Sequence, residues 1–146
     1  MNVIACIPKE KILWSPNEEK FSFLEIIKHI AYAERYIFIE NAVNNLRLYP
    51  GLQNDSIKSY EDVMSLLTNF HEESINLLRT IKDKDLQRKI ITPGGIEISI
   101  WKWLRAMIEH EIHHRGHIYS NLSLLKIKTP PIFGLEEHQV IANNQK

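Results

Sequence analysis

A single cysteine, Cys6, in 146 residues leaves the chain no internal disulfide framework and fits a reducing compartment. Charge of one sign is not in excess either. Lys plus Arg and Asp plus Glu stand at 18 each, and no block of basic residues gathers anywhere, so the electrostatic footprint of a nucleic-acid binder is missing. Nowhere do about 18 apolar residues run consecutively, which excludes a helical membrane span. The start, MNVIACIPKEK, has neither the basic opening nor the apolar stretch of a signal peptide, so the cytoplasm is the expected location. Internal repeats and Gly/Ser- or Pro-rich linkers are also lacking, which leaves one domain over 1–146 as the natural reading. A chain this long buries a core without a structural metal, so any metal it holds serves function rather than folding.

What is there is helical patterning. Ser22, with Glu25 three residues on and Phe21 placed to staple to Ile26, predicts a helix start, and the helix should run to about Leu48 before Pro50-Gly51 stops it. A second helix opens at Ser59, with Asp62 in the reciprocal position, carries Val63, Leu66, Leu67, Phe70, Leu77, Leu78 and Ile81 at helical spacing, and ends near Lys82-Asp83. Two β-prone runs around Pro93-Gly94-Gly95 fit a small hairpin or an extended loop. The last long helix is expected from Ser99 to about Lys126, because Thr129 precedes Pro130-Pro131; a short helix over Leu135 to Ile141 can follow.

Four of the seven histidines crowd into His110-Glu111-Ile112-His113-His114-Arg115-Gly116-His117. With His110 at zero and about 100° per residue, Ile100, Trp103, Met107, Ile118 and Leu125 fall at about 20° to 80°, and His114 at about 40°. His110 and His114 are thus the inward pair, one turn apart on one face and able to reach a single ion. His113 and His117 share that spacing but turn further toward solvent. A third ligand must come from another helix, and His29, beside the stripe of Ile26, Ile30, Ala33 and Ile37, is placed for it. Three neutral imidazoles with open positions suit catalytic Zn²⁺ and other divalent ions such as Ni²⁺ or Fe²⁺. The same spacing also fits a polar helix flank in a dimer interface.

His110-Glu111-x-x-His114 matches the pattern of zinc proteases, in which the glutamate is general base, although Gly116 and His117 come too early for the extended form. Glu111, at about 100°, could support a ligand histidine or carry a proton, or serve as a structural residue.

Together with Trp101-Lys102-Trp103-Leu104 upstream and Leu122 to Leu125 and Thr129-Pro130-Pro131 downstream, the His110 to His117 run resembles the signature of the DinB/YfiT-like proteins. The segment from Ile7-Pro8-Lys9-Glu10-Lys11 through Trp14, Pro16 and Glu25 to Arg35 is similar to the part of that family carrying its first metal histidine. The resemblance implies an all-α, four-helix-type bundle, often dimeric, with its metal triad on His29, His110 and His114. It also implies kinship with transferases and isomerases that use low-molecular-weight thiols such as bacillithiol or mycothiol, in which a metal activates the sulfur. The expected protein is therefore a metal-dependent enzyme activating water or such a thiol on a small-molecule substrate. The alternatives are a zincin-type hydrolase using Glu111 and a non-enzymatic dimeric metal-binding or stress-response protein.

Two departures stand out. His117 replaces the family's usual glutamine, which adds a further ligand or proton carrier beside the site. The family's first helix normally precedes the Ile-Pro segment, so either the tail from Leu135 or a second subunit is expected to cover the groove it leaves. The sequence accordingly predicts a homodimer; sedimentation at micromolar concentration checks it, and a stable monomer would refute it.

Overall fold

The structure, a computed structural model, describes residues 3–52, 56–132 and 134–144. Two of its three long helices begin where side chains satisfy the free backbone donors of a helix start. Ser22 is extended, its hydroxyl accepts from the Glu25 amide at 3.3 Å, and the Glu25 carboxylate accepts from the Ser22 amide at 2.8 Å. From this box runs helix α1, continuous through Phe23–Tyr32, a π-helical stretch Ala33–Glu40, and Asn41–Asn44. Ser59 and Asp62 form the same reciprocal pair at 3.1 and 3.0 Å and open α2 (Tyr60–Leu78). Ser99 precedes α3 (Ile100–Leu124) without a side-chain cap, and α4 (Glu137–Asn143) is a short tail helix.

Two of the expected helix ends move inward. α1 stops at Asn44, four residues before Leu48, because Asn45 takes the left-handed conformation (φ 54°) that ends a helix, one that asparagine tolerates better than most residues. The Asn41 side chain, fully buried, donates to the carbonyls of Leu46 and Ile91 and fastens the turned-back chain. α2 ends at Leu78 rather than near Lys82. The hairpin expected around Pro93-Gly94-Gly95 forms, with β1 (Lys89–Ile91) antiparallel to β2 (Glu97–Ser99), Ile90 opposite Ile98, and Gly95 supplying the positive φ of the turn.

α1 lies between α2 and α3 and packs against both. At one end of the molecule, Val3, Ile4, Ile7 and Ile12 of the amino-terminal segment join Phe23, Ile26, Ile27 and Ile30 of α1, Val63 of α2, and Ile118 and Leu122 of α3 in the main core. At the other end Ala42, Ile90 and Ile100 form a smaller cluster with Trp103 and Leu104 packed on it. The amino-terminal segment, not the tail, fills the core beside the long helices. α4 has no buried residue, so the expectation that the tail takes a helix's place in the groove is not met.

The π-helical stretch was not foreseen and changes which residues face inward. The sequence stripe placed Ile37 next after Ala33, the α-helical step of four. In a π turn the step is about five, and Phe38 (5% exposed) and its neighbour Ile39 are buried while Ile37 is only partly covered. Phe38 packs on Trp103 with ring centroids 4.7 Å apart, and the Trp103 indole donates to the Ile37 carbonyl at 3.3 Å. Phe38→Ala is therefore expected to cost about 3–5 kcal/mol in urea unfolding and Ile37→Ala under about 2 kcal/mol. A reversed order would mean that α1 is α-helical throughout.

Candidate metal centre

Antiparallel packing of α1 on α3 brings His29 opposite His110 and His114 between the two core clusters. Each of the three residues offers a ring nitrogen, and these nitrogens lie within 4.8 Å of one another, close enough for one ion. Ring centroids are 5.0 Å apart for His29 and His110, 4.5 Å for His29 and His114, and 4.4 Å for His110 and His114. His29 Nε2 and His110 Nε2 are 3.0 Å apart, so in the absence of an ion one must donate a proton to the other.

Neighbours orient these rings. The Tyr49 hydroxyl lies 3.2 Å from His29 Nδ1; with Nδ1–H donating to it, the Nε2 lone pair is turned toward His110. Phe38 covers His110 at 5.3 Å between centroids, and Phe21 lies 6.2 Å from His29. The π turn and the left-handed Asn45 are thus what deliver Phe38 and Tyr49 to the site. Neither residue was singled out from the sequence as a site residue, and no periodicity marks a loop residue before Pro50 as a histidine's partner.

The electrostatics favour lone pairs over protons. Burial, reinforced by His29 and His113, pushes His110 down to about 4. Burial, then His110, His29, His113 and His117, pushes His114 down to about 3, and burial lowers His29 as well. All three are neutral imidazoles at pH 7, the form that ligates metal. His114 Nδ1 is moreover fully buried with no hydrogen-bond partner, an acceptor or donor left unsatisfied at the cluster. The residues present fit a divalent cation.

The remaining candidates divide by position. His114 and His117 line a cavity of about 520 Å³ with Pro16, Lys20, Phe21 and Ile26. Glu111 does not line it. It borders a separate cavity of about 130 Å³ with Ile30, Glu34 and His110, and lies 3.6 Å from Arg115 Nη1. His113 and His117 are exposed, as their helix angles require. The other two histidines lie elsewhere: His71 pairs with Glu34 at 3.0 Å, and His138 is on α4.

The depressed values carry a stability consequence. Unfolded histidine takes up its proton near pH 6.5, whereas the folded cluster resists protonation down to about 3–4. Between those limits the unfolded chain binds more protons, so metal-free protein loses stability as pH falls below about 6.5. Thermal melts in chelator at pH 7.5 and pH 5 are expected to show a smaller drop for His114→Ala than for the parent; an equal drop would refute this.

In sequence, 25% identity over 115 residues relates the chain to an uncharacterized protein, YjoA of Bacillus subtilis (strain 168), covering 77% of this chain and 73% of that one. Two crystal structures share the fold. The DinB-like YjoA structure from Bacillus subtilis superposes with a TM-score of 0.69 at 21% identity, covering 92% of this chain and 89% of that one. A DinB-like protein from Bacillus cereus ATCC 10987 gives 0.71 at 16% identity, covering 89% and 85%. The sequence profile of the DinB superfamily matches residues 1–118, a span that takes in His29, His110 and His114, and the chain belongs to that superfamily.

Proposed function

We propose that the protein is a metal-dependent enzyme whose ion, held by His29, His110 and His114, acts on a small molecule bound in the adjoining cavity, with a low-molecular-weight thiol or water as nucleophile. One observation carries this reading: His114 belongs both to the three-histidine cluster and to the wall of the 520 Å³ cavity. A ligand histidine that also lines a cleft places the ion's open positions where a substrate can reach them.

The ion would supply Lewis-acid polarisation and lower the pKa of a coordinating water or thiol. The chain's own residues do the rest. Tyr49 holds the His29 ring through Nδ1, and Phe38 packs against His110 from the side of the smaller core cluster. Phe21 and Ile26 give the cavity apolar walls, while Lys20 at its rim offers a cation for an anionic group on the substrate. His117 faces the same cavity, and burial with the charges of His113 and Lys20 lowers its pKa, so it is neutral at pH 7 and able to accept a proton there.

A zincin-type hydrolase using Glu111 is supported less well, because Glu111 opens on the other, smaller cavity beside Arg115. Cys6 is a poor rival nucleophile: it packs against the main core and does not line the large cavity.

Elemental analysis of the purified protein beside its His110→Ala variant is the direct test, with about one equivalent of tightly held divalent metal expected to survive purification in the first and far less in the second. Thiol-conjugation turnover is expected to survive Cys6→Ser and to disappear on chelation or in His114→Ala. Activity that persists without metal but is lost in Cys6→Ser would overturn the reading. Metal-free protein whose melting ignores Zn²⁺, Ni²⁺ and Fe²⁺ would favour a non-enzymatic role instead.

A further inference from the structure

The inner triad uses only part of the histidine run. His113, His114 and His117 form a second group, reaching from the inward-facing His114 to the exposed His113 and His117, whose ligand nitrogens also lie within 4.8 Å of one another. Their ring centroids are 4.4 Å apart for His113 and His117, 5.0 Å for His113 and His114, and 5.5 Å for His114 and His117. The spacing explains the geometry: residues four and three apart on a helix are neighbours on its surface, so His117 sits one turn above both others. Unlike the inner group, this one draws all its ligands from a single helix and is open to solvent through His113 and His117.

We propose that His113, His114 and His117 constitute a second divalent-cation site, weaker than the inner one and coupled to it through His114. An imidazole has two ring nitrogens on different sides of the ring, so one histidine can offer a lone pair to each of two ions, but only if it gives up its remaining proton. That cost falls on simultaneous occupancy and makes the second ion the weaker. Lys20, whose charge reaches His117, weakens it further. The exposed group adjoins the substrate-sized cavity through His114 and His117, so an ion bound there stands at the mouth of the inner site. Ligation of this outer ion does not require that the inner triad binds metal, and the two assignments fail separately.

Equilibrium dialysis of tag-free protein against Zn²⁺ at pH 7.5, with circular dichroism to confirm folding, tests this. The parent is expected to take up two equivalents, one at least tenfold tighter. The double variant His113→Ala/His117→Ala is expected to keep only the tight one, and since both side chains are exposed it should fold normally. His29→Ala is expected to retain one equivalent that vanishes when His113→Ala/His117→Ala is added. A single equivalent in the parent that survives the double variant, or a second equivalent that survives it, overturns the outer site. A single equivalent lost in the double variant but kept in His29→Ala would uphold the outer site and overturn the inner one. Failure of the parent to bind any Zn²⁺ overturns both.

Discussion

Three imidazoles pressed together where α1 crosses α3 are unfavourable unless something takes up their lone pairs. Burial and mutual proximity disfavour protonation, and at least one nitrogen, His114 Nδ1, is left inside the protein without a hydrogen bond. The packing that holds them there lies on both sides along the same helix pair. Ile26 and Ile30 meet Ile118 and Leu122 below the site, while Phe38 and Ala42 meet Trp103 and Ile100 above it. Burial of the isoleucine, leucine and phenylalanine side chains among them, each worth about 1.5–3 kcal/mol, outweighs the strain of the polar centre between them. A cation would remove that strain by using the lone pairs, and the three histidines are close enough together to hold one.

That helix contact depends on α1 not being a uniform α-helix. Between Tyr32 and Asn41 the helix widens into π turns, and the residues beyond shift phase by about one position. Phe38 moves onto Trp103 and His110, where an α-helical step would have brought Ile37. The upper half of α1 then meets α3 with an aromatic residue against His110. Past Asn44, the left-handed Asn45 and the buried Asn41 side chain turn the chain back so that Tyr49 reaches His29. Local backbone irregularities thus do the positioning that the long regular helices do not.

The histidine run of α3 faces two environments at once. His110 and His114 look toward α1 and His113 and His117 toward solvent, with His114 the common member and the large cavity at the boundary. Glu111 falls on the opposite flank of His110, beside a different and smaller cavity. A motif that reads as a unit in the chain is therefore split in space, and only one side of it borders a cleft of substrate size.

Much of this was legible from the residues alone. The capping pairs Ser22/Glu25 and Ser59/Asp62 mark the two helix starts because they act through local hydrogen bonds. The four-residue spacing of His110 and His114 together with the stripe of α3 put them on one face. His29 could be set beside its own apolar stripe by the same rule, and the Pro-Gly-Gly turn announced the hairpin. Helix ends were less legible, since Asn45, where α1 stops, is held by a tertiary anchor: its Oδ1 accepts from the Ile91 amide, in β1. The π turns, Phe38 and Tyr49 had no sequence signal at all. Short-range periodicity determined which residues could share a face. Which faces met, which nitrogens approached within reach of one ion, and which loop residue touched them were decided by long-range packing, because those contacts join segments as far apart as His29 and His110, which only the folded chain brings together.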